Sequence, residues 1–456
     1  MKPFHHALKF IYDLCVGCSH CTGICPTGAI HIDGGYPVLN PDRCIDCGMC
    51  YKVCPSNAIS IDQDDFSAIF NYKHPVILLP SIFSAQFPEK INHRAILSAL
   101  YHLGFEYVHE VEESTDIIKE YMIEFLADIS VEKPVISTFC PAVVRLIQVK
   151  YPALLSNLLN IRAPLDMTAI YIRKSLEDKG ISPKEIGLFY VSPCAAKIAA
   201  IKSPPEGDIS PIDGIINMNY LFNKVYRIIK QRECELLDED LDFVPLSGDG
   251  ILWALTGGEI GFLDNGRNLA IDEIHNVNDF LEKVENGEIK NVNFLELRAC
   301  DESCAGGILC ASNRFIVAER QEKRAELGKS IDSGTRSLDI DKYRDYLNQN
   351  IRAGQILPRS MDKLDDDISV AMKKMKKALS IYEGLPKVDC KICGYKSCRV
   401  FSEVVASGKA DLKQCVFVRI ELERSGDLAV EESLEIMKKV WGEKKLNFPD
   451  DKTVSL

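Results

Sequence analysis

CVGCSHCTGICPTGAIHI (residues 15–32) is echoed by CIDCGMCYKVCPSNAISI (residues 44–61). Both copies read C-x2-C-x2-C-x3-C-P, then a short apolar run. Such close spacing lets three thiolates of one loop converge on a single small inorganic centre, with the neighbouring backbone amides free to donate to sulfur. Pro26 and Pro55 turn the chain after each fourth cysteine. Zinc and disulfides are the rival uses of closely spaced cysteines, and two complete, matching copies argue against both.

In the two-cluster bacterial ferredoxin run, which this repeat resembles, the fourth cysteine of each half ligates the other cluster. One cluster is therefore expected on Cys15, Cys18, Cys21 and Cys54. The other is expected on Cys44, Cys47, Cys50 and Cys25.

Working outward, the chain has 456 residues, 46% of them hydrophobic, enough for two or three domains. Its net charge of -12, with no basic stripe, excludes ordinary nucleic-acid binding. No apolar run reaches the ~18 residues of a membrane span, and MKPFHHALKF at the start has no apolar signal core. A cytoplasmic protein is expected. Eighteen cysteines in such a chain point to metal rather than disulfides, because the cytosol keeps thiols reduced. Three regions follow: a ferredoxin-like α+β domain at 1–65, an α/β domain at 70–355, and a small cluster domain at 365–443. The middle region alternates helical patterns with strand-like runs such as PVILLP (75–80), KPVISTF (133–139) and IGLFYVSP (186–193). The charged stretch from Glu319 to about Asn350 reads as helical or surface-exposed, and the tail after Glu443 as frayed.

Four central cysteines are scattered: Cys140, Cys194, Cys300 and Cys304. Spacing alone leaves a fourth cluster and buried structural cysteines equally open. Their surroundings, however, resemble the catalytic domain of iron-only hydrogenases over roughly residues 70–320. Thr138-Phe139-Cys140-Pro141-Ala142 matches the first signature loop of that family. Ser192-Pro193-Cys194 with Lys197 matches the second. Glu296, Ala299, Cys300, Cys304 and Gly307 match the third. LPS (79–81), ALYHLGF (99–105) and LSGDGILWALTGG (246–258) support it. The resemblance implies two α/β lobes around an active site and a 4Fe–4S cube on the four central cysteines. It further implies that Cys304 bridges to a di-iron subcluster carrying CO, cyanide and a bridging dithiolate. Pro141, Ala142 and Lys197 would line that cofactor, with Lys197 giving a cyanide a charge-assisted hydrogen bond.

Several positions depart from the family pattern. Phe139 stands where the family has its proton-relay cysteine, and a phenyl ring carries no proton. Ser192 replaces a methionine, Ile198 a lysine, Ala200 a glutamate and Arg298 a methionine. The cluster ligands stay while the fast proton path is cut, which resembles the sensory branch of the family. Cys304, Lys197, Ser192 and Phe139 are thus the positions expected to set the catalytic behaviour.

Cys390, Cys393, Cys398 and Cys415 form C-x2-C-x4-C-x16-C. This resembles the small 4Fe–4S domain of some corrinoid, electron-bifurcating and sensory redox proteins, with zinc as the rival occupant. The chain after Cys415 is too short for a further signalling module, so output is expected to pass to a separate partner. Cys234 reads as a bystander, and Cys310 as either core packing or a secondary group near the site. Three accessory cubes would wire the centre to a ferredoxin or other redox protein, and maturation proteins would load it. The expected function is an iron–sulfur oxidoreductase reacting with hydrogen and protons, slow and sensory or regulatory. Two other readings stay open: an iron–sulfur assembly or scaffold protein, and an electron-transfer protein, either one lacking the di-iron group.

Overall fold

The computed structural model describes residues 4–231, 246–264, 266–328, 340–359, 365 and 367–446. Cys234 lies outside the described residues. The chain forms two compact units, one holding 8–44, 48–61 and the chain from 359 onward, the other 1–7, 45–47 and 62–358.

In the smaller unit, β1 (Leu8–Phe10) will pair with the last strand of the repeat. β2 (Ile30–Asp33) and β3 (Tyr36–Leu39) form an antiparallel hairpin whose turn is Gly34-Gly35, both at positive φ. Consecutive positive-φ residues suit the two-residue hairpin turn, which glycine enters without a Cβ penalty. β4 (Ile59–Ile61) closes against β1 with Leu8 opposite Ile61. One short helix follows the second cysteine of each half, His20–Ile24 and Met49–Val53. The repeat in sequence is therefore a repeat in structure. The C-terminal segment adds helices Ile368–Gly384, Cys398–Ala406, Val416–Ser425 and Val430–Trp441. Leu385, Tyr395 and Phe401 pack with Cys393, Cys398 and Cys415 into a small core of its own.

The larger unit holds two parallel sheets. Its strands are β5 (His74–Leu79), β6 (Tyr107–Glu110), β7 (Val135–Ile136), β8 (Ile186–Ser192), β9 (Gly214–Asn217), β10 (Asn268–Ile271) and β11 (Phe294–Leu297). The first sheet runs β6-β5-β8-β9, the second β10-β11-β7. Every residue of β8 is buried, as expected for a central parallel strand covered on both faces. The run KPVISTF yields only the two paired residues Val135 and Ile136, after which the backbone leaves the sheet toward Cys140. The charged stretch begins inside the helix Arg314–Gly328, which is not merely a surface element, since Val317, Gln321 and Ala325 are buried.

In the first sheet the chain order reverses between neighbours β5 and β8. Open parallel sheets form ligand crevices beyond the carboxyl ends of their strands at such a switch point. Here that crevice is bordered by Pro80-Ser81 after β5 and Pro193-Cys194 after β8. The second sheet likewise ends its strands in chemistry-bearing loops: β7 leads to Cys140 and β11 to Cys300.

Candidate metal centres

The three cysteine loops of the larger unit converge. Burial first, then the charges of Cys194, Cys140 and Cys304, push the Cys300 thiol well above its ordinary pKa. Burial and the same neighbours raise Cys194 to about 11, against the pull of Lys197. Four half-buried thiols this close are a costly arrangement when protonated and a repulsive one when ionised. A metal centre resolves it by taking all four as thiolates. Two of them also begin helices: Cys140 caps Pro141–Lys150, with Pro141 at the first helical position, and Cys194 caps Ala195–Lys202. Both positions place the partial positive charge of a helix N-terminus against an anionic cluster.

The second and third loops are locked together. Leu309 N donates to Pro193 O at 3.0 Å, and Cys304 N donates to Ala254 O at 3.1 Å. A Cβ at Gly307 would lie 2.6 Å from Pro193 O, and one at Gly306 only 1.9 Å from Asp301 O, so both positions require glycine. Between the ligands, Glu302 and Ser303 sit at positive φ, with Glu302 N anchored on the Asp272 carboxylate at 3.0 Å. Asp301 is engaged by Arg314 at 2.6 Å. The Ser192 hydroxyl donates to Cys194 O at 2.8 Å, shaping the second loop.

Lys197 is buried, its ammonium 3.4 Å from Cys304 Sγ and 4.4 Å from the centre of the Phe139 ring. Burial alone would lower its pKa, but Cys304, Tyr190 and Cys194 outweigh that and keep it charged. Arg298 covers Phe139 as well, its guanidinium carbon 3.9 Å from the ring centre. The buried Phe139 is thus held between two cations. Ala142 is buried in the same helix turn. Cys310 donates to Cys304 O at 3.4 Å and packs on Met218, so it touches the backbone of the third loop.

Sequence reading missed three features here. Arg298 forms a buried triad with Glu259 at 2.8 Å and Glu296 at 3.2 Å, and Ser137 donates to Glu259 at 2.7 Å. Glu296 also accepts from the amides of Gly257, Glu259 and Ile260. Only the Met-to-Arg departure at 298 could have signalled a buried cation in need of acids. Glu112, buried beneath the crevice, accepts from Ser81 N at 2.8 Å, and burial and Glu110 raise its carboxyl to about 8. Tyr190 on β8 feels Lys197, Cys194 and Cys304.

The donor set fits a polar inorganic group. Tyr190 Oη, Trp253 Nε1, Arg298 Nη1 and Ser303 Oγ are buried with no hydrogen-bond partner among the described residues. An unpaired buried donor costs about 1–3 kcal/mol, so four near one cysteine set call for acceptors that the chain itself does not supply.

The smaller unit shows the ferredoxin pattern directly. Cys15, Cys18, Cys21 and Cys54 line one cavity, so the fourth cysteine of the second half does join the first three of the first half. Ala29 N donates to Cys25 Sγ and Ala58 N to Cys54 Sγ, each at 3.2 Å, one bond per half. Cys50 lies among Cys25, Cys44 and Cys21, and burial with their charges raises its thiol. Cys390, Cys393, Cys398 and Cys415 line another cavity, with Asp389 donated to by Cys398 N at 2.7 Å. Cys390 alone of these four is exposed.

Residues 73–263 match the family described as iron only hydrogenase large subunit, C-terminal domain. Residues 8–31 and 37–60 match the 4Fe-4S binding domain, and 385–417 match a family described as an Fe-S cluster. Iron hydrogenase 1 of Clostridium pasteurianum is 25% identical over 231 residues, 49% of this chain and 38% of that protein. The chain thus spans well under half the length of that relative. Among solved structures, an FeFe-hydrogenase from Chlamydomonas reinhardtii aligns with a TM-score of 0.46 and 17% identity, over 63% of this chain and 95% of that one. An FeFe-hydrogenase described as losing its H cluster 2Fe subcluster to oxygen aligns with a TM-score of 0.47 and 16% identity, over 64% and 95%. With its central segment similar to the iron-only hydrogenase domain and both flanks matched by iron–sulfur domains, the chain is an iron–sulfur protein with an iron-only-hydrogenase-like central region.

Proposed function

We propose that this chain reacts with hydrogen and protons at a di-iron subcluster beside the central cube, slowly enough to serve sensing or regulation rather than bulk turnover. The observation that carries the reading is Lys197: a buried ammonium, 3.4 Å from Cys304 Sγ and near Tyr190, whose hydroxyl has no partner among the described residues. A buried cation costs several kcal/mol unless it meets anions, and anionic cyanide ligands next to Cys304 are such partners.

When bound, the di-iron group would supply the metal site at which hydrogen is split or protons are joined. Cys140, Cys194, Cys300 and Cys304 would hold the cube, with Cys304 as the bridge. Lys197 would fix the cyanides, and Pro141 and Ala142 would close the wall behind them. Phe139 excludes water and offers no proton at the position where a relay would stand. The Ser192 hydroxyl is spent on the Cys194 carbonyl, so it orients the loop. Electrons would travel through the ferredoxin cubes to an external redox protein, and a signalling partner would read the redox state. Maturation proteins would deliver the di-iron group, and a cytoplasmic setting suits these oxygen-sensitive centres.

A second reading, an iron–sulfur scaffold or electron carrier without the di-iron group, draws on the same departures at Phe139 and Arg298. Infrared spectroscopy of the matured protein separates the two. Bands of metal-bound CO and cyanide that respond to hydrogen are expected, and a matured sample without them would leave the scaffold reading standing.

A further inference from the structure

The C-terminal cluster segment lies directly on the ferredoxin hairpin within the smaller unit. Ile32 N donates to Gly394 O at 2.9 Å, and a Cβ at Gly394 would lie 2.6 Å from Ile32 O. Gly394 follows the ligand Cys393, so the cluster loop itself makes the close approach. The Tyr395 ring stacks on His31 with centres 5.2 Å apart and planes 5° from parallel. The hairpin turn donates to the far helix, Gly34 N to Lys439 O and Gly35 N to Val440 O, each at 2.9 Å.

Lys445, near the end of the described chain, donates to Gly17 O between Cys15 and Cys18, but the contacts made by the C-terminal cluster loop and the helix that follows it fall on the other ferredoxin cube. Lys396, two residues before the ligand Cys398, donates to the backbone carbonyl of Cys25. Arg43, beside the ligand Cys44, pairs with Glu403 of the helix that begins at Cys398, at 3.2 Å. Lys391, between the ligands Cys390 and Cys393, reaches Gly23, where a Cβ would lie 2.7 Å from its Nζ. Cys25 and Cys44 are ligands of the same cube under crossed ligation. A lysine two residues from a ligand of the C-terminal set thus reaches the backbone of a ligand of the ferredoxin set.

We propose that the C-terminal cube is an electron port that exchanges electrons specifically with the ferredoxin cube that Cys25 and Cys44 help to hold. One electron leaves the reduced C-terminal cube, which is oxidised, and enters the Cys25 cube, which is reduced. No bond forms or breaks and no proton moves. The source is an external one-electron iron–sulfur carrier, meeting the chain at the exposed Cys390 edge. Lys396 and Lys391 act as positioning residues: their charges favour the more negative, reduced state of the cubes beside them and so tune the potentials. The inference concerns only the iron–sulfur sets and holds with or without a di-iron group.

The test uses the full chain with its cubes reconstituted anaerobically and reduced stepwise with dithionite under electron paramagnetic resonance. Spins on neighbouring cubes interact. The fully reduced spectrum minus that of Cys390→Ser should therefore differ from the simple signal of an isolated cube. A difference spectrum that is that simple signal overturns the proposal. Lys396→Met provides an independent arm that keeps every ligand. It should move the midpoint potential of one ferredoxin cube to a more negative value, while Lys396→Arg restores it. Unchanged midpoints in Lys396→Met likewise overturn the proposal.

Discussion

The Lys197 ammonium stands 3.4 Å from the Cys304 sulfur, although the two residues lie on different sheets' loops and 107 positions apart in sequence. Lys197 rides on the first turn of the helix that Cys194 begins, and Cys304 closes the third loop. Their meeting depends on the Pro193–Leu309 hydrogen bond and on the glycines that allow it. Lys197→Asn should therefore mature poorly. A lost ionic donor at a buried site costs about 3 kcal/mol. Retention of the di-iron group after desalting, followed by infrared cyanide bands, gives the readout. Unshifted bands at full occupancy would place Lys197 elsewhere.

Phe139 is buried between Lys197 and Arg298. Phe139→Cys should raise hydrogen turnover by about 10²- to 10⁴-fold, the usual worth of a positioned acid–base group, if the outer route to solvent exists. Hydrogen evolution from a reduced dye measures it. Native turnover already as fast as a relay-bearing enzyme would contradict the sensory assignment.

Arg298 pairs with both Glu259 and Glu296, each buried. Arg298→Met should lower stability by about 3–5 kcal/mol, because two buried acids lose their counter-ion. Thermal unfolding of the protein should show a lower midpoint, partly recovered by adding Glu259→Gln.

Glu112 gives a pH signature. Burial raises its carboxyl from 4.5 to about 8. A folded state that holds its proton more tightly is favoured below pH 4.5 and loses that advantage as pH rises toward 8. Chemical denaturation should show stability falling across this window, by on the order of 5 kcal/mol. Glu112→Gln, which can still accept from Ser81 N, should flatten the profile.

Iron analysis checks the inventory. Four cysteine sets call for about sixteen irons at four per cube, plus two with the di-iron group. Cys390→Ser should lose about four irons and leave the central set loaded. A total near eight would mean that half of the sets are not cubes.

Much of this protein was written locally. C-x2-C-x2-C-x3-C-P fixes three ligands by loop geometry, so the ferredoxin halves were legible from spacing, as was the C-terminal set. The apolar runs around β5 and β8 read as strands of an α/β region, and their lack of alternation fits strands covered on both faces. The central set was different. Cys140, Cys194 and Cys300 come from three strand ends in two sheets, and no spacing rule predicts which strand ends meet. Only the pairing order β6-β5-β8-β9 creates the switch point, and only the close approach of Gly307 to Pro193 brings the third loop to the second, while Gly306 folds the third loop back on Asp301. The buried Arg298 triad, the raised pKa of the buried Glu112 and the seating of the Cys393 loop on Ile32 are likewise tertiary. A charge or a glycine in sequence does not say what will be packed against it, and desolvation, which sets the energies at these positions, exists only once the neighbours are in place.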